Sequence, residues 1–184
     1  TNNINNSNII EEKCLMKIVY NPTCTINNNI FHDIEIARKA GYVGTEILIN
    51  KLDDYLESGM TIESLKNKLE DFPVIGLGYV EDIERQGDSF RKVLFRTEQL
   101  CQIAKELNCK NVQLLTGPQA MGTANNPMYG DIKIPKQYEE LLKKEWKEIR
   151  KITANNLKYI CNIGEKYDVK FYLEALGWTP AGPL

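Results

Sequence analysis

The sequence predicts an α/β protein built on a parallel sheet. Five short apolar segments begin near residues 14, 43, 74, 111 and 169, and they alternate with segments whose apolar residues recur at helical spacing. The first two intervals are close to the roughly 30 residues of a strand–helix–strand unit. The strands are apolar through most of their length, as in parallel sheets covered on both faces. Two architectures fit this order: an open doubly wound sheet, and the first five strands of a (β/α)8 barrel.

The composition is that of an ordinary globular protein. Of the 184 residues, 42% are hydrophobic and 26% are charged, and the formal net charge is −2. A surface for nucleic acid or for anionic lipid would need clustered Lys and Arg, so we expect neither a nucleic-acid nor a membrane partner. No apolar run approaches the ~20 residues of a membrane span. One domain with one core is expected.

The cysteines and the start of the chain suggest where the protein works. The five cysteines are odd in number and form no Cys-x-x-Cys pair, so neither a disulfide framework nor a zinc knuckle is indicated. A reducing, cytoplasmic setting is the simplest expectation. Residues 1–13 are rich in Asn and are expected to be poorly ordered, so the domain is predicted to span residues 14–184. Without an initiator Met, the chain is expected to come from a longer one.

The first half of the chain reads as alternating strands and helices. The first strand is predicted over 14–20, and an Asn-rich loop then caps a helix that stops at Gly41. The second strand is predicted over 43–49. Thr61 caps the next helix and Pro73 ends it.

The second half continues the pattern with longer connections. Strands are predicted over 74–80 and 111–116, separated by an acidic loop and an amphipathic helix. The irregular segment 117–135 is longer than most strand-to-helix loops, and such loops are often functional covers. A long helix then leads to the fifth strand, predicted over 169–175.

Glu174 stands near the end of the fifth strand, just before a turn rich in Gly and Pro. Parallel-sheet proteins place their chemistry at the carboxyl ends of strands. A carboxylate buried there is costly unless it meets a metal, a proton or a cation. From position alone, a strand-end Glu that faces water fits equally well.

Glu46 is the second carboxylate of interest, because it interrupts an apolar strand. Alternation along a strand places Glu46 and Leu48 on one face and Ile47 and Ile49 on the other. Glu46 then either faces a polar site inside a barrel or pairs beneath a helix. We favour the first.

Several common motifs are missing from the sequence. The turn after the first strand has no glycine, and neither a Walker A sequence nor a Gly-x-Ser-x-Gly sequence occurs. Gly76 and Gly78 lie within a strand and lack the third glycine of a phosphate cradle. The only histidine, His32, falls at the start of a helix, so a nucleophilic triad is not indicated.

Three segments carry a resemblance to a known family: residues 41–47, residues 114–117 and, above all, residues 167–176. In this order they resemble the N-terminal portion of the xylose isomerase-like TIM-barrel superfamily. That superfamily includes sugar and sugar phosphate isomerases and epimerases, inosose-processing enzymes and endonuclease IV. The resemblance covers residues 14–184 and implies an incomplete (β/α)8 barrel of about five strands and four helices. A complete barrel needs at least ~200 residues.

The resemblance implies a divalent metal (Mn, Mg, Co or Zn) held by carboxylates and a His at the ends of strands five to eight. Glu174 matches the first of these ligands, which also moves a proton in the epimerases, and Glu46 matches a strand-two Glu of the family. The other ligands would lie beyond this chain. Many relatives continue with Pro-Leu-Asn-Arg after the Glu, whereas this chain has Ala-Leu-Gly-Trp-Thr.

The expected function is therefore that of a metal-dependent sugar or sugar phosphate isomerase or epimerase, working through an enediolate. Asn21, Glu46, Thr116 and Trp178 would line the sugar pocket. We expect the 184-residue chain to be inactive by itself and to form homo-oligomers through open sheet edges. The alternatives are a metal-dependent phosphodiesterase like endonuclease IV and a non-catalytic barrel that only binds.

Overall fold

The computed structural model of the protein describes residues 16–117 and 144–174. Within these ranges lie four β-strands, five α-helices and one short 3-10 helix. The strands are β1 (Thr45–Leu48), β2 (Val74–Val80), β3 (Asn111–Leu114) and β4 (Lys170–Leu173); the helices are α1 (Ile30–Lys39), α2 (Ile49–Glu57), α3 (Ile62–Leu69), α4 (Gly87–Glu106) and α5 (Trp146–Tyr167), and the 3-10 helix is Pro22–Thr25.

The four strands form one parallel sheet whose spatial order, β1–β2–β3–β4, is the order of the chain. A doubly wound sheet reverses its strand order at a switch point, and this sheet does not. Each strand instead lies beside its predecessor, as around a barrel. The prediction of an incomplete (β/α)8 barrel is confirmed, and the doubly wound alternative is excluded.

The predicted first strand is present only as a bridge. Tyr20 forms an isolated parallel bridge with Thr45, and the Glu46 N–H donates to the Tyr20 carbonyl at 2.9 Å. Residues 14 and 15 of this prediction lie outside the described ranges. Met16 and Ile18 are 85% and 60% exposed. The segment therefore lies along the free side of β1, but burial does not hold it in a regular ladder.

The helix α2 was not predicted. It begins at Ile49, directly after β1, where the sequence predicted the strand to continue. Leu52 and Tyr55 lie three residues apart on the buried side of α2, with exposures of 0% and 9%. The helix is only nine residues long, so its apolar residues repeat too few times for the helical period to be recognised next to the apolar strand.

Two predicted helix starts are confirmed. The Asn29 side chain accepts a hydrogen bond from the His32 N–H at 2.9 Å and caps α1, and Thr61 accepts from the Ser64 N–H at 3.1 Å and caps α3. Each side chain satisfies one of the donors that a helix leaves free at its first turn.

The core lies between the helices and one face of the sheet, called here the outer face. It is built from buried strand residues and from the apolar sides of all five described helices. The outer-face residues are Ile47, Leu77, Val112 and Leu114. Because neighbouring side chains in a strand alternate between faces, the other face is left free for polar groups. Within the described ranges, no helix has the length and apolar composition that crossing a membrane requires.

A glycine allows α5 to lie close to β4. A Cβ added at Gly164 would lie 2.5 Å from a ring carbon of Phe171 and 2.6 Å from the Val169 carbonyl oxygen. Both distances are far shorter than van der Waals contact, so only glycine fits here.

A buried ion pair fixes the loop that leads from Tyr20 to α1. Lys51 and Asp33 are 6% and 3% exposed, and the Lys51 Nζ lies 2.5 Å from the Asp33 Oδ2. Lys51 also donates to the Thr25 carbonyl at 2.8 Å, and the Thr25 hydroxyl donates to Asp33 at 2.7 Å. Charges this deep are tolerated because each one is paired and hydrogen-bonded.

Removing one member of this pair should destabilise the protein strongly. We expect Lys51→Met or Asp33→Asn to lower the free energy of unfolding by about 3–5 kcal/mol, because the partner is left as a buried unpaired group. The double variant should lose less than the sum of the two. Urea denaturation measures all three.

The matched control is Asp88→Asn, which breaks an exposed pair with Arg91. Exposed pairs contribute at most about 1 kcal/mol, so this variant should unfold nearly as the wild type does. Additive losses in the double variant, or equal losses in the control, would contradict the interpretation.

Both edges of the described sheet carry exposed apolar residues. Ile18 and Val43, at 60% and 46% exposure, lie beside the Tyr20 bridge, and Leu173 in β4 is 42% exposed. No strand of the described ranges pairs with the far side of β4. An edge of this kind offers unpaired backbone groups to another chain.

We therefore predict that the 184-residue chain self-associates, and that Ile18→Lys shifts it toward monomer by placing a charge on the edge. Sedimentation velocity over a range of concentrations measures this. Phe95→Lys is the control, because Phe95 is 65% exposed on α4, away from the edges. A monodisperse wild-type monomer would exclude the association.

Candidate active site

The face of the sheet opposite the helices, called here the inner face, is polar. Every strand contributes to it, and its two carboxylates come from β1 and from the end of β4. The members of the inner face are Glu46, Gly76, Gly78, Gln113, Tyr172 and Glu174.

Glu46 is held by two donors. The Asn21 Nδ2 donates to its Oε2 at 2.7 Å, and the Tyr172 hydroxyl donates to its Oε1 at 3.0 Å. The contact between Tyr172 and Glu46 joins β4 to β1. On a flat sheet three interstrand steps of about 4.8 Å would separate these strands by about 14 Å. The contact therefore requires the sheet to curl toward its inner face, as the wall of a barrel does.

Tyr172 stays a hydrogen-bond donor over a wide pH range. Burial disfavours the phenolate and raises the pKa of Tyr172 well above its usual value, and the neighbouring Glu46 carboxylate adds to the effect. The neutral phenol is the form that can donate to Glu46.

Glu174 is held on one side only. Its Oε2 accepts a hydrogen bond from the Gln113 Nε2 at 2.5 Å, and its N–H donates to the Leu114 carbonyl at 3.1 Å. The side chain is exposed on the inner face. Its second carboxylate oxygen, Oε1, accepts no hydrogen bond from the described residues.

Two glycines in β2 make room for these pairs. A Cβ at Gly76 would lie 3.0 Å from the Tyr172 hydroxyl and 3.4 Å from the Glu46 Oε1, and one at Gly78 would lie 2.6 Å from the Gln113 Oε1. The sequence indicated these glycines only as a poor phosphate cradle. Their role in the structure is to leave β2 bare beneath the side chains of its neighbours.

The other predicted site residues differ in where the structure places them. Asn21 contacts Glu46 directly, whereas Thr116 is only 2% exposed, two residues past β3. Trp178 lies outside the described residues, as does the segment 117–135 beyond Gly117. The pocket roles of these residues stay predictions. The sequence did not indicate Gln113 or Tyr172; their polar side chains at alternate positions of apolar strands were the available signal.

A further carboxylate that the sequence did not single out is Glu84, in the acidic loop after β2. It is fully buried, accepts a hydrogen bond from the Gly117 N–H at 2.8 Å, and has a pKa raised by burial. Asn156 on α5 donates to the Ile83 and Arg85 carbonyls at 2.9 and 2.7 Å. These bonds fasten the loop after β2 and the start of the loop after β3 to α5.

The inner face fits a divalent cation in part. Glu174 offers a carboxylate oxygen at a strand end, and hard cations prefer such oxygens. No group of three or more potential metal ligands occurs within residues 16–117 and 144–174. Glu174 therefore fits as one ligand of a set whose other members are not among the described residues.

The raised pKa of Tyr172 predicts how the protein responds to alkali. The unfolded chain loses the tyrosine proton near pH 10 while the folded chain keeps it, so this contribution to stability is complete below pH ~10 and is lost as pH rises further. In an absorbance titration at 295 nm, Tyr172 should ionise last. Tyr172→Phe should abolish that final step and Glu46→Gln should move it to lower pH.

Tyr159→Phe, which removes an exposed phenol, should leave the final step in place. A titration in which Tyr172→Phe and Tyr159→Phe give the same curve would contradict the assignment.

Comparison with known proteins supports the fold. No protein-family model matches the chain, and no curated protein matches its sequence. Solved structures do match. The IolI protein with a bound zinc atom matches with 22% identity and a TM-score of 0.72. The matched region covers 90% of this chain and 54% of the IolI chain. The 3-keto-D-glucoside 4-epimerase YcjR of E. coli has 20% identity and a TM-score of 0.63, and covers 89% of this chain and 57% of its own.

A D-tagatose 3-epimerase-like protein has 17% identity and a TM-score of 0.56, and covers 88% of this chain and 53% of its own. The chain thus spans about half the length of the solved structures it matches. At these identities the match shows the fold. The resemblance to xylose isomerase-like TIM barrels is confirmed at that level.

Proposed function

We propose that this chain, which has the xylose isomerase-like TIM-barrel fold, forms part of a metal-dependent sugar or sugar phosphate isomerase or epimerase. The observation that carries the proposal is the state of Glu174, a strand-end carboxylate on the face that also bears Glu46. Gln113 holds one of its oxygens, and the other accepts no hydrogen bond from residues 16–117 and 144–174. The epimerase names of two structural neighbours, and the zinc atom of a third, agree with this chemistry.

In this proposal Glu174 would hold a divalent cation (Mn, Mg, Co or Zn), and further ligands would come from outside the described residues. When bound, the cation supplies Lewis-acid polarisation of the substrate carbonyl. Glu174 would also be one of two acid–base groups and would take the proton from the carbon beside that carbonyl, which gives an enediolate of the sugar. A proton then returns to the opposite face of that carbon in an epimerase, from the second group, or to the neighbouring carbon in an isomerase.

Glu46 and its partners bind the sugar hydroxyls. An ionised carboxylate has about four lone-pair sites, so Glu46 can accept from a sugar while Asn21 and Tyr172 hold its orientation. Thr116 and Trp178 complete the pocket, Trp178 by stacking on the sugar ring. The substrate is a small sugar or sugar phosphate.

The two other classes have less support. An endonuclease IV-like phosphodiesterase would need a basic surface and several histidines, but the net charge is −2 and the sequence has one histidine. A barrel that only binds would not need a strand-end carboxylate whose orientation a neutral amide fixes.

Replacing Glu174 by Gln in the full-length protein tests the proposal. We expect turnover to fall by about 10²–10⁴-fold, the usual contribution of a general acid–base group, and bound metal to be lost as well. Sugar epimerisation and metal content measure the two effects. The control is Glu165→Gln, an exposed residue on α5. Unchanged turnover and metal content in Glu174→Gln would favour a binding module and overturn the proposal.

The 184-residue chain alone should be inactive, because one carboxylate cannot supply the several ligands that a catalytic cation needs. Equilibrium dialysis with Mn²⁺ and an epimerisation assay check this. Tight binding or turnover by the short chain would contradict it.

A further inference from the structure

We propose that Gln113 is a positioning residue for Glu174, and that Gly78 is required for it to act. The inference rests on the proposed function, in which Glu174 holds a cation, and it adds the means by which the carboxylate is aimed.

Gln113 and Glu174 lie on neighbouring strands in a fixed register. Gln113 pairs with Tyr172 across the β3–β4 ladder, so Glu174 stands two residues further along the same face. From this position the Gln113 amide reaches the Glu174 Oε2 at 2.5 Å. A bond from an amide to an ionised carboxylate is stronger than one between neutral groups, and it holds the carboxylate plane in one orientation.

The donor to Glu174 is neutral, and this matters for a cation site. An Arg or Lys at position 113 would pair with the carboxylate and compete with a bound cation. The Gln113 amide fixes Oε2 without neutralising the group and does not occupy Oε1. Hydrogen bonds of this type, one step removed from the ion, orient metal ligands in proteins.

The two carboxylates of the inner face differ in this respect. Both oxygens of Glu46 accept hydrogen bonds, from Asn21 and Tyr172, whereas the described residues donate to only one oxygen of Glu174. Glu46 is thus held in one orientation as an acceptor, and the part of the chain that the structure describes leaves the Glu174 Oε1 available to an ion.

Gly78 provides the space that the Gln113 amide fills. A Cβ at Gly78 would lie 2.6 Å from the Gln113 Oε1, a distance that real Cβ contacts do not reach. A methyl group would push the amide aside and break its bond to Glu174. At Gly76 the added atom would instead press on Tyr172 and Glu46, at 3.0 and 3.4 Å.

The first test measures the Mn²⁺ dissociation constant of the full-length protein and its variants. Gln113→Leu and Gly78→Ala should each weaken binding by about 10- to 100-fold, the usual cost of removing a partner of a metal ligand. Gly76→Ala, the same change two residues away, should leave the constant within about 2-fold, and so should Gln102→Leu on α4. Circular dichroism and melting temperature verify that each variant is folded.

The second test needs no metal. In the ¹H–¹⁵N spectrum of the metal-free protein, one side-chain amide proton of Gln113 should be shifted downfield by its charged acceptor. The shift should vanish in Glu174→Gln and in Gly78→Ala and persist in Gly76→Ala.

The outcomes separate the two hypotheses. If the wild type binds Mn²⁺ and Gln113→Leu binds it equally well, the positioning role is wrong and the proposed function stands. If the wild type binds no divalent cation, the proposed function fails, and the amide shift alone decides whether Gln113 orients Glu174. Absence of the shift in the wild type overturns the inference in either case.

Discussion

The curvature of the sheet, which the hydrogen bond between Tyr172 and Glu46 reports, is the constraint on which the inner face depends. That bond joins the last described strand to the first, and it can form only if the sheet is curled. Curling turns one face into a wall covered by helices and the other into a concave surface where side chains from β1, β3 and β4 converge. A carboxylate at the end of β4 then lies in a site rather than at the rim of a flat sheet.

Different properties of the side chain determine which residues fit on the inner and the outer face of the sheet. On the outer face Leu77 and Val112 are fully buried, so the volume of the side chain determines which residues the core accepts there. On the inner face the side chains are sorted by hydrogen-bonding role: donors from Asn21 and Gln113, acceptors from the two glutamates. The bare backbone of β2 lets these groups meet over a strand that contributes no side chain of its own.

The alternation of strands and helices along the chain and the cap at Thr61 could be predicted from the sequence, because they depend on local spacing and on residues that satisfy nearby backbone groups. For α1 the sequence indicated an Asn-rich loop as the cap without selecting Asn29. Glu46 and Glu174 were found because a charge in an apolar strand is conspicuous. Of their partners, Asn21 was predicted as a site residue. Gln113 and Tyr172 were missed, because their role depends on the register between strands that are distant in sequence. The pair Lys51–Asp33 was hidden for the same reason: its members are 18 residues apart and meet only after folding.

The close approach at Gly164 has an evolutionary consequence. Glycine inside a helix lowers stability by about 1 kcal/mol relative to alanine, so it persists where a neighbour leaves no room. The constraint at Gly164 belongs to the architecture, because Phe171 occupies that space whatever the protein binds. Homologous proteins that lost the activity would still keep this glycine, whereas Gly76 and Gly78 in β2 could then be substituted.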